Sequence, residues 1–372
     1  MIRTRITTYL LFSILAGTLL LTGCSITDLP GISEPDEVDT ALTVTDALGR
    51  EVALDGPPER IVIAGKANFF LNDALYTFHA APERVVGLTK ARQTTKPFLS
   101  LLDPDFEEKM RFTVDSTAEE IATAEPDLVV LKRFMRESVG SSLETLGIPV
   151  IYLDFETPDQ YHRDLGTVGT VFDNPARAEA LQAYYADKQQ RIADELAAVP
   201  EADRPRTLVV QYTTQGGSEA FRVPPQRWMQ TQMTELAGGL PVWREQSEGG
   251  WSVVNLEQIA AWNPNAVFVI SYFDPVGEVV DRLTSDPQWQ SLSAVDEGRI
   301  YGFPGDFYSW DQPDTRWILG LTWMASRLHP ETFAEVDMRA EVFEFYSTLY
   351  DLDAETVESE VLPLVQGDVT VR

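Results

Sequence analysis

The sequence predicts an α/β chain of two lobes, each with a mainly parallel central sheet, joined by a long spine helix. Three observations carry that expectation. Short runs that are apolar on both faces recur along the chain, as suits buried parallel strands, and helix-like segments separate them. The runs fall into two sets, and 372 residues exceed what one hydrophobic core usually holds. Between the sets lies one amphipathic segment long enough to run along both lobes.

Residues 1–23 read as a secretory signal: Arg3 and Arg5 precede an apolar run from Leu10 to Leu21. The run is too short to span about 30 Å of hydrocarbon as a helix. It closes on Leu21-Thr22-Gly23-Cys24, similar to a bacterial lipobox, so Cys24 is expected to be lipidated and to begin the mature chain outside the cytoplasmic membrane. Cys24 is the single cysteine, so no internal disulfide forms and stability rests on the core. Residues 24–41 are rich in Asp, Glu, Pro and Gly and suit a flexible tether.

The first lobe is expected over 42–157. Leu42 to Leu54 reads as a hairpin turning at Leu48-Gly49, and Arg60–Gly65, Arg84–Leu88, Asp127–Leu131 and Pro149–Leu153 read as buried strands. Over 158–200, Pro158–Phe172 and Pro175–Val199 read as helices. The second, at about 25 residues, is roughly 37 Å long and forms the spine, which permits only modest hinge motion. The second lobe, 201–372, takes its strands from Thr207–Tyr212, Ala266–Ile270 and Arg299–Phe303, followed by C-terminal helices.

One internal similarity relates the lobes. Residues 117–130 align without a gap on 255–268, with Glu, Ile, Ala and Pro coinciding. In each copy a capping residue, Thr117 or Asn255, opens a short helix that proline ends before a strand. Each lobe thereby presents one glutamate, Glu119 or Glu257, from its outer end.

Against 58 acidic residues stand 29 basic ones, a formal net charge of −29. Nucleic acid is excluded as a partner, because phosphate binding needs a basic face. An enzyme is also disfavoured. His79, His162 and His329 stand in no metal-ligand spacing, and the chain lacks a nucleophile elbow, a phosphate-binding loop and a dinucleotide fingerprint. Gln215-Gly216-Gly217-Ser218 reads better as part of a ligand rim than as a catalytic loop.

Ligands prefer the carboxyl ends of strands and the gap between lobes. Candidates there are Lys66 with Asn68 and Phe69, then Arg92, Lys132, Arg133 and Arg136, from the first lobe. The second lobe adds Arg222, Arg227, Trp228, Trp251, Tyr272, Tyr308, Trp310 and Arg316. Basic residues at strand ends on an acidic protein favour an anionic ligand locally, and arginine forks grip carboxylate or catecholate oxygens while aromatic faces stack on flat walls. Arg133 and Arg136 are equally consistent with the exposed face of a helix start, and Trp317 and Trp323 fit the core. A bare-ion site would draw on Asp274, Asp306, Asp311 and Asp314, but aspartates near Pro and Gly are usually turn residues. No resident metal or cofactor is expected.

The lipobox, the acidic tether, Val44-Thr45-Asp46-Ala47-Leu48-Gly49-Arg50-Glu51-Val52, Pro58-Glu59-Arg60-Ile61-Val62, the paired Glu-x-Ile-x-x-x-x-Pro segments and the spine helix together resemble the helical-backbone class of ATP-binding-cassette solute-binding lipoproteins. The resemblance runs from about residue 43 to 350, and the order of the motifs carries it. It implies a monomeric, lipid-anchored receptor for ferric siderophores, haem or cobalamin, outside the membrane, that delivers its ligand to a permease and ATPase. It further implies that Glu119 and Glu257 dock onto permease arginines. Phe307–Gly320 is similar to an iron-transport branch of the class, which favours an iron chelate, most of all a ferric siderophore. Haem, cobalamin, a nickel or cobalt chelate and a non-transport sensor lipoprotein remain open at this point.

Overall fold

The computed structural model describes residues 41–90, 96–214, 217–244 and 249–371. The signal, Cys24 and the tether lie outside the described residues, as do Arg92, Gln215 and Gly216.

The expected hairpin is present: β1 (Leu42–Thr45) pairs antiparallel with β2 (Glu51–Leu54), Leu42 opposite Leu54. Its turn works because Gly49 takes φ 73°, and because the Asp46 carboxylate accepts the N–H of Leu48 and of Arg50.

The first sheet is wholly parallel. Its strands are β3 (Ile61–Ile63), β4 (Val85–Thr89), β5 (Met110–Phe112), β6 (Leu128–Lys132) and β7 (Val150–Leu153), in the order β5-β4-β3-β6-β7. The continuous apolar runs become buried strands, with Val86 of β4 partly exposed, as two covered faces demand. β5 was not expected from the sequence, since Met110-Arg111-Phe112 is short, charged and at the sheet edge.

The second sheet takes β8 (Arg206–Thr213), β9 (Ala220–Val223), β10 (Leu240–Pro241), β11 (Ser252–Val254), β12 (Ala266–Ile270) and β13 (Ile300–Gly302). β8, β10, β12 and β13 run parallel, while β9 and β11 are antiparallel additions. Those additions escaped sequence reading because they are short strands of mixed polarity.

Thr157 and Asn174 cap the two connecting helices, Pro158–Val171 and Pro175–Leu196, each with proline at its start. The helices pack closely at Gly169, where an added Cβ would lie 2.4 Å from that of Ala178. The spine is 22 residues, about 33 Å. It ties distant parts together: Arg177 donates to the carbonyls of Thr77, Thr348 and Leu349, and Tyr185 stacks on Trp317 with its hydroxyl on the Thr315 carbonyl. Trp317 and Trp323 are core residues, and the buried His329 ring meets the Gly238 carbonyl at 3.2 Å.

The internal repeat extends further than the aligned letters. Both helices open with reciprocal capping boxes, Thr117 with Glu120 and Asn255 with Gln258. Both helices are followed by a left-handed residue, Glu125 (φ 47°) or Asn263 (φ 44°). The Asp127 carboxylate accepts the N–H of Arg60 at 2.9 Å, and the Asn265 amide oxygen accepts that of Arg206 at 2.9 Å. Arg60 then donates to the carbonyls of Ala124 and Glu125, as Arg206 does to those of Trp262 and Asn263. Glu119 and Glu257 stand exposed in the first turns of these helices. Hydrogen bonds from its own backbone N–H and from Thr117 hold the Glu119 carboxyl below the ordinary range.

Candidate functional site

In the first sheet the chain runs outward from β3 to β4 and β5, then returns to β6 on the other side of β3. That reversal opens a crevice beyond the carboxyl ends of β3 and β6. β3 leads through Gly65 (φ 83°) and Ala67, held left-handed at φ 54°, into the Asn68–Leu75 helix. A non-glycine residue in that conformation stores strain, a feature concentrated at ligand sites. The helix presents Phe69 and Phe70; the turn after β6 presents Phe134.

Opposite them the second lobe supplies Trp228, Gln230, Trp251, Tyr272, Gln312 and Pro313, and together these walls enclose about 400 Å³. Trp228 meets Trp251 edge to face at 5.6 Å, and Trp251 meets Tyr272 at 6.4 Å. Behind this wall the Asp311 carboxylate accepts the Tyr272 hydroxyl (2.7 Å), the Gln230 amide N–H (3.0 Å) and the Ser309 hydroxyl (2.6 Å). Complete burial pushes the Asp311 carboxyl up to about 6. Because the carboxylate takes the Gln230 nitrogen, the amide oxygen is left over. It has no partner among the described residues, nor has Gln312 Nε2.

The first wall has its own buried charge. Lys132 Nζ lies 5.2 Å from the Phe70 ring centre and 2.5 Å from Glu156 Oε1, and it also donates to the Asp154 carbonyl. The chain beyond β7 is pinned in turn, since Asp164 Oδ2 accepts the N–H of Asp154 and of Phe155.

The residues expected from the sequence divide four ways. Trp228, Trp251 and Tyr272 line the cleft. Arg133 and Arg136 flank it in an adjoining depression of about 500 Å³, with Arg133 3.6 Å from Asp154, and Lys66 lies in another beside Asp115. Exposed Phe134 borders all three spaces. Arg227 is exposed just before Trp228, Arg222 is half-buried on β9, and neither lines the cleft.

Arg316 and Trp310 require correction, because both are completely buried. Arg316 Nη1 lies 2.6 Å from Asp73 Oδ2 and 3.2 Å from Asp314 Oδ2, and Nε lies 2.6 Å from Asp306 Oδ1. Trp310 Nε1 and the Tyr346 hydroxyl both donate to Asp306 Oδ2, and the Phe98 ring lies 4.5 Å from the guanidinium carbon. Three carboxyl groups around one guanidinium cannot all be ionised cheaply. Burial pushes Asp73 up to about 6 and Asp314 to about 8. The expected ligand fork is thus a bond between lobes, since Asp73 belongs to the Asn68–Leu75 helix. Tyr308 is also largely buried, stacked on Phe69 at 4.7 Å.

Phe70, Phe134, Gln230 and Glu156 were not singled out from the sequence. The signal for Phe134 is its place just beyond a buried strand, between Arg133 and Arg136.

Comparison with known proteins adds three findings. The family model described as periplasmic binding protein matches residues 83–307. The molybdate-binding protein MolA of Haemophilus influenzae is 23% identical over 359 residues, covering 89% of this chain and 95% of the relative, and the Fe(3+)-citrate-binding protein YfmC of Bacillus subtilis is 20% identical over 296 residues, covering 80% and 89%. Among solved structures, a periplasmic solute binding protein from Veillonella parvula superposes with a TM-score of 0.70 at 23% identity, covering 86% of this chain and 97% of that one.

Proposed function

Because this chain belongs to the periplasmic binding protein family, we propose that it captures a metal chelate, most of all a ferric siderophore, and delivers it to an ATP-binding-cassette permease. It is a binding protein and not an enzyme. The observation that carries the ligand class is the cleft itself: six-membered and indole rings from both lobes, Phe70 and Phe134 against Trp228, Trp251 and Tyr272, face one space. Such walls suit a ligand with flat or apolar organic faces. Arg133, Arg136 and Lys66, beside the cleft, suit the oxygens of an anionic chelate. The names of the relatives support a metal-related ligand, being those of a molybdate-binding and a ferric-citrate-binding protein. Lipidation at Cys24 would keep the receptor at the membrane as a monomer, and Glu119 and Glu257 would be its two contacts with permease arginines.

The test is intrinsic tryptophan fluorescence of the chain beginning after Cys24, titrated with ferric siderophores, ferric citrate, haem, cobalamin and molybdate. Saturable quenching by a ferric siderophore supports the reading. Quenching by molybdate with none from any organic chelate overturns the chelate while leaving the receptor in place.

A further inference from the structure

A second, smaller cavity of about 240 Å³ lies beyond the carboxyl ends of β4 and β5, and its chemistry differs from that of the aromatic cleft. The stacked pair Phe69 and Tyr308 separates the two: Phe69 faces the cleft, and Tyr308 faces this cavity. Asn72 Oδ1, Thr89 Oγ1 and Arg111 Nη1, all on its walls, are buried atoms with no hydrogen-bond partner among the described residues. Buried polar groups are normally satisfied, so three orphans on one cavity mark a place for a polar guest.

Arg111 is held for that purpose. Its guanidinium lies 3.9 Å from the Phe106 ring centre and its Nη2 donates to the Phe106 carbonyl, which leaves Nη1 unspent. Lys90 adds an exposed ammonium, and Glu107 is the one carboxylate among the described residues of the wall. Two cations and a hydroxyl donor call for an anion, while Asn72 Oδ1 and Glu107 call for a hydrogen-bond donor on the same guest. The geometry points to a binding site for a small hydroxycarboxylate, its carboxylate on Arg111 and Lys90 and its hydroxyl on Asn72. This site does not depend on what the aromatic cleft holds.

Calorimetric titration of the chain beginning after Cys24 with malate, and with succinate as the counterpart lacking the hydroxyl, tests it. Malate is expected to bind saturably and about tenfold more tightly than succinate, the effect of one hydrogen bond to an otherwise orphaned group. Asn72→Leu and Thr89→Val should each weaken malate about tenfold, and Trp251→Ala, in the cleft, should leave it unchanged. Equal affinity for the two acids, or indifference to both wall variants, overturns the assignment. Absence of saturable heat does so too. Chelate quenching in the same preparations reads the cleft separately, so failure of one site is not mistaken for failure of the other.

Discussion

Two segments, one in each lobe, follow buried strands and combine arginine with aromatic rings: Arg133–Arg136 after β6 and Phe307–Arg316 after β13. Their fates are opposite. Arg133 and Arg136 stay exposed around Phe134, whereas Arg316 has no exposed surface and is ringed by Asp73, Asp306 and Asp314. What separates them is the density of carboxylates. Asp306, Asp311 and Asp314 crowd the second segment, and a guanidinium among so many acids is consumed internally before it meets a ligand. The same side chains therefore stand exposed beside the cleft in one lobe and form a lock between lobes in the other.

The largest expected effect follows directly. Arg316→Met strands buried carboxylates and should cost about 3–5 kcal/mol in urea unfolding, while Arg133→Ala should stay within about 0.5 kcal/mol. Equal losses would erase the contrast. A pH series sharpens it. The raised carboxyls, Asp73 and Asp311 at about 6 and Asp314 at about 8, bind protons that the unfolded chain, near 3.8, has already released. Their contribution to stability is thus present at acid pH and lost as the pH rises through that window. Asp314→Asn should flatten the slope; an unchanged slope would mean that Asp314 is ionised throughout. Next, Trp251→Ala should weaken chelate binding by about 2 kcal/mol with little change in unfolding, the reverse of Trp310→Ala, which should cost about 3–5 kcal/mol in stability. Fluorescence titration and thermal melts on both variants decide the pair. Smallest on the purified protein is the double change Glu119→Ala with Glu257→Ala: ligand affinity and melting stay as they were, while uptake by cells is lost. A fall in affinity would put those glutamates in the cleft.

Much of the frame was legible because β3, β6, β7 and β12 are apolar on both faces, a pattern with few other meanings. The repeat was legible through Thr117 and Asn255, whose capping chemistry is local. Edge strands such as β5 and β11 were not, since their pairing depends on partners distant in sequence. The cleft was read in part. Trp251 was found through its glycine-rich approach, but Phe70 and Phe134 look like any core phenylalanine until the sheet order sets them at a switch point. Arg316 was misplaced because nothing local announces that Asp73, more than two hundred residues earlier, will arrive beside it.

The staples across the molecule also bear on time. Arg177 on the spine holds Thr77 on one side and Leu349 on the other, and Arg316 reaches Asp73, so the two walls of the cleft are fastened before any ligand arrives. A receptor with no slow rearrangement to wait for gives a single exponential in stopped flow, with an observed rate that climbs linearly with ligand concentration and shows no plateau. Selection among ligands then falls to how long each one stays.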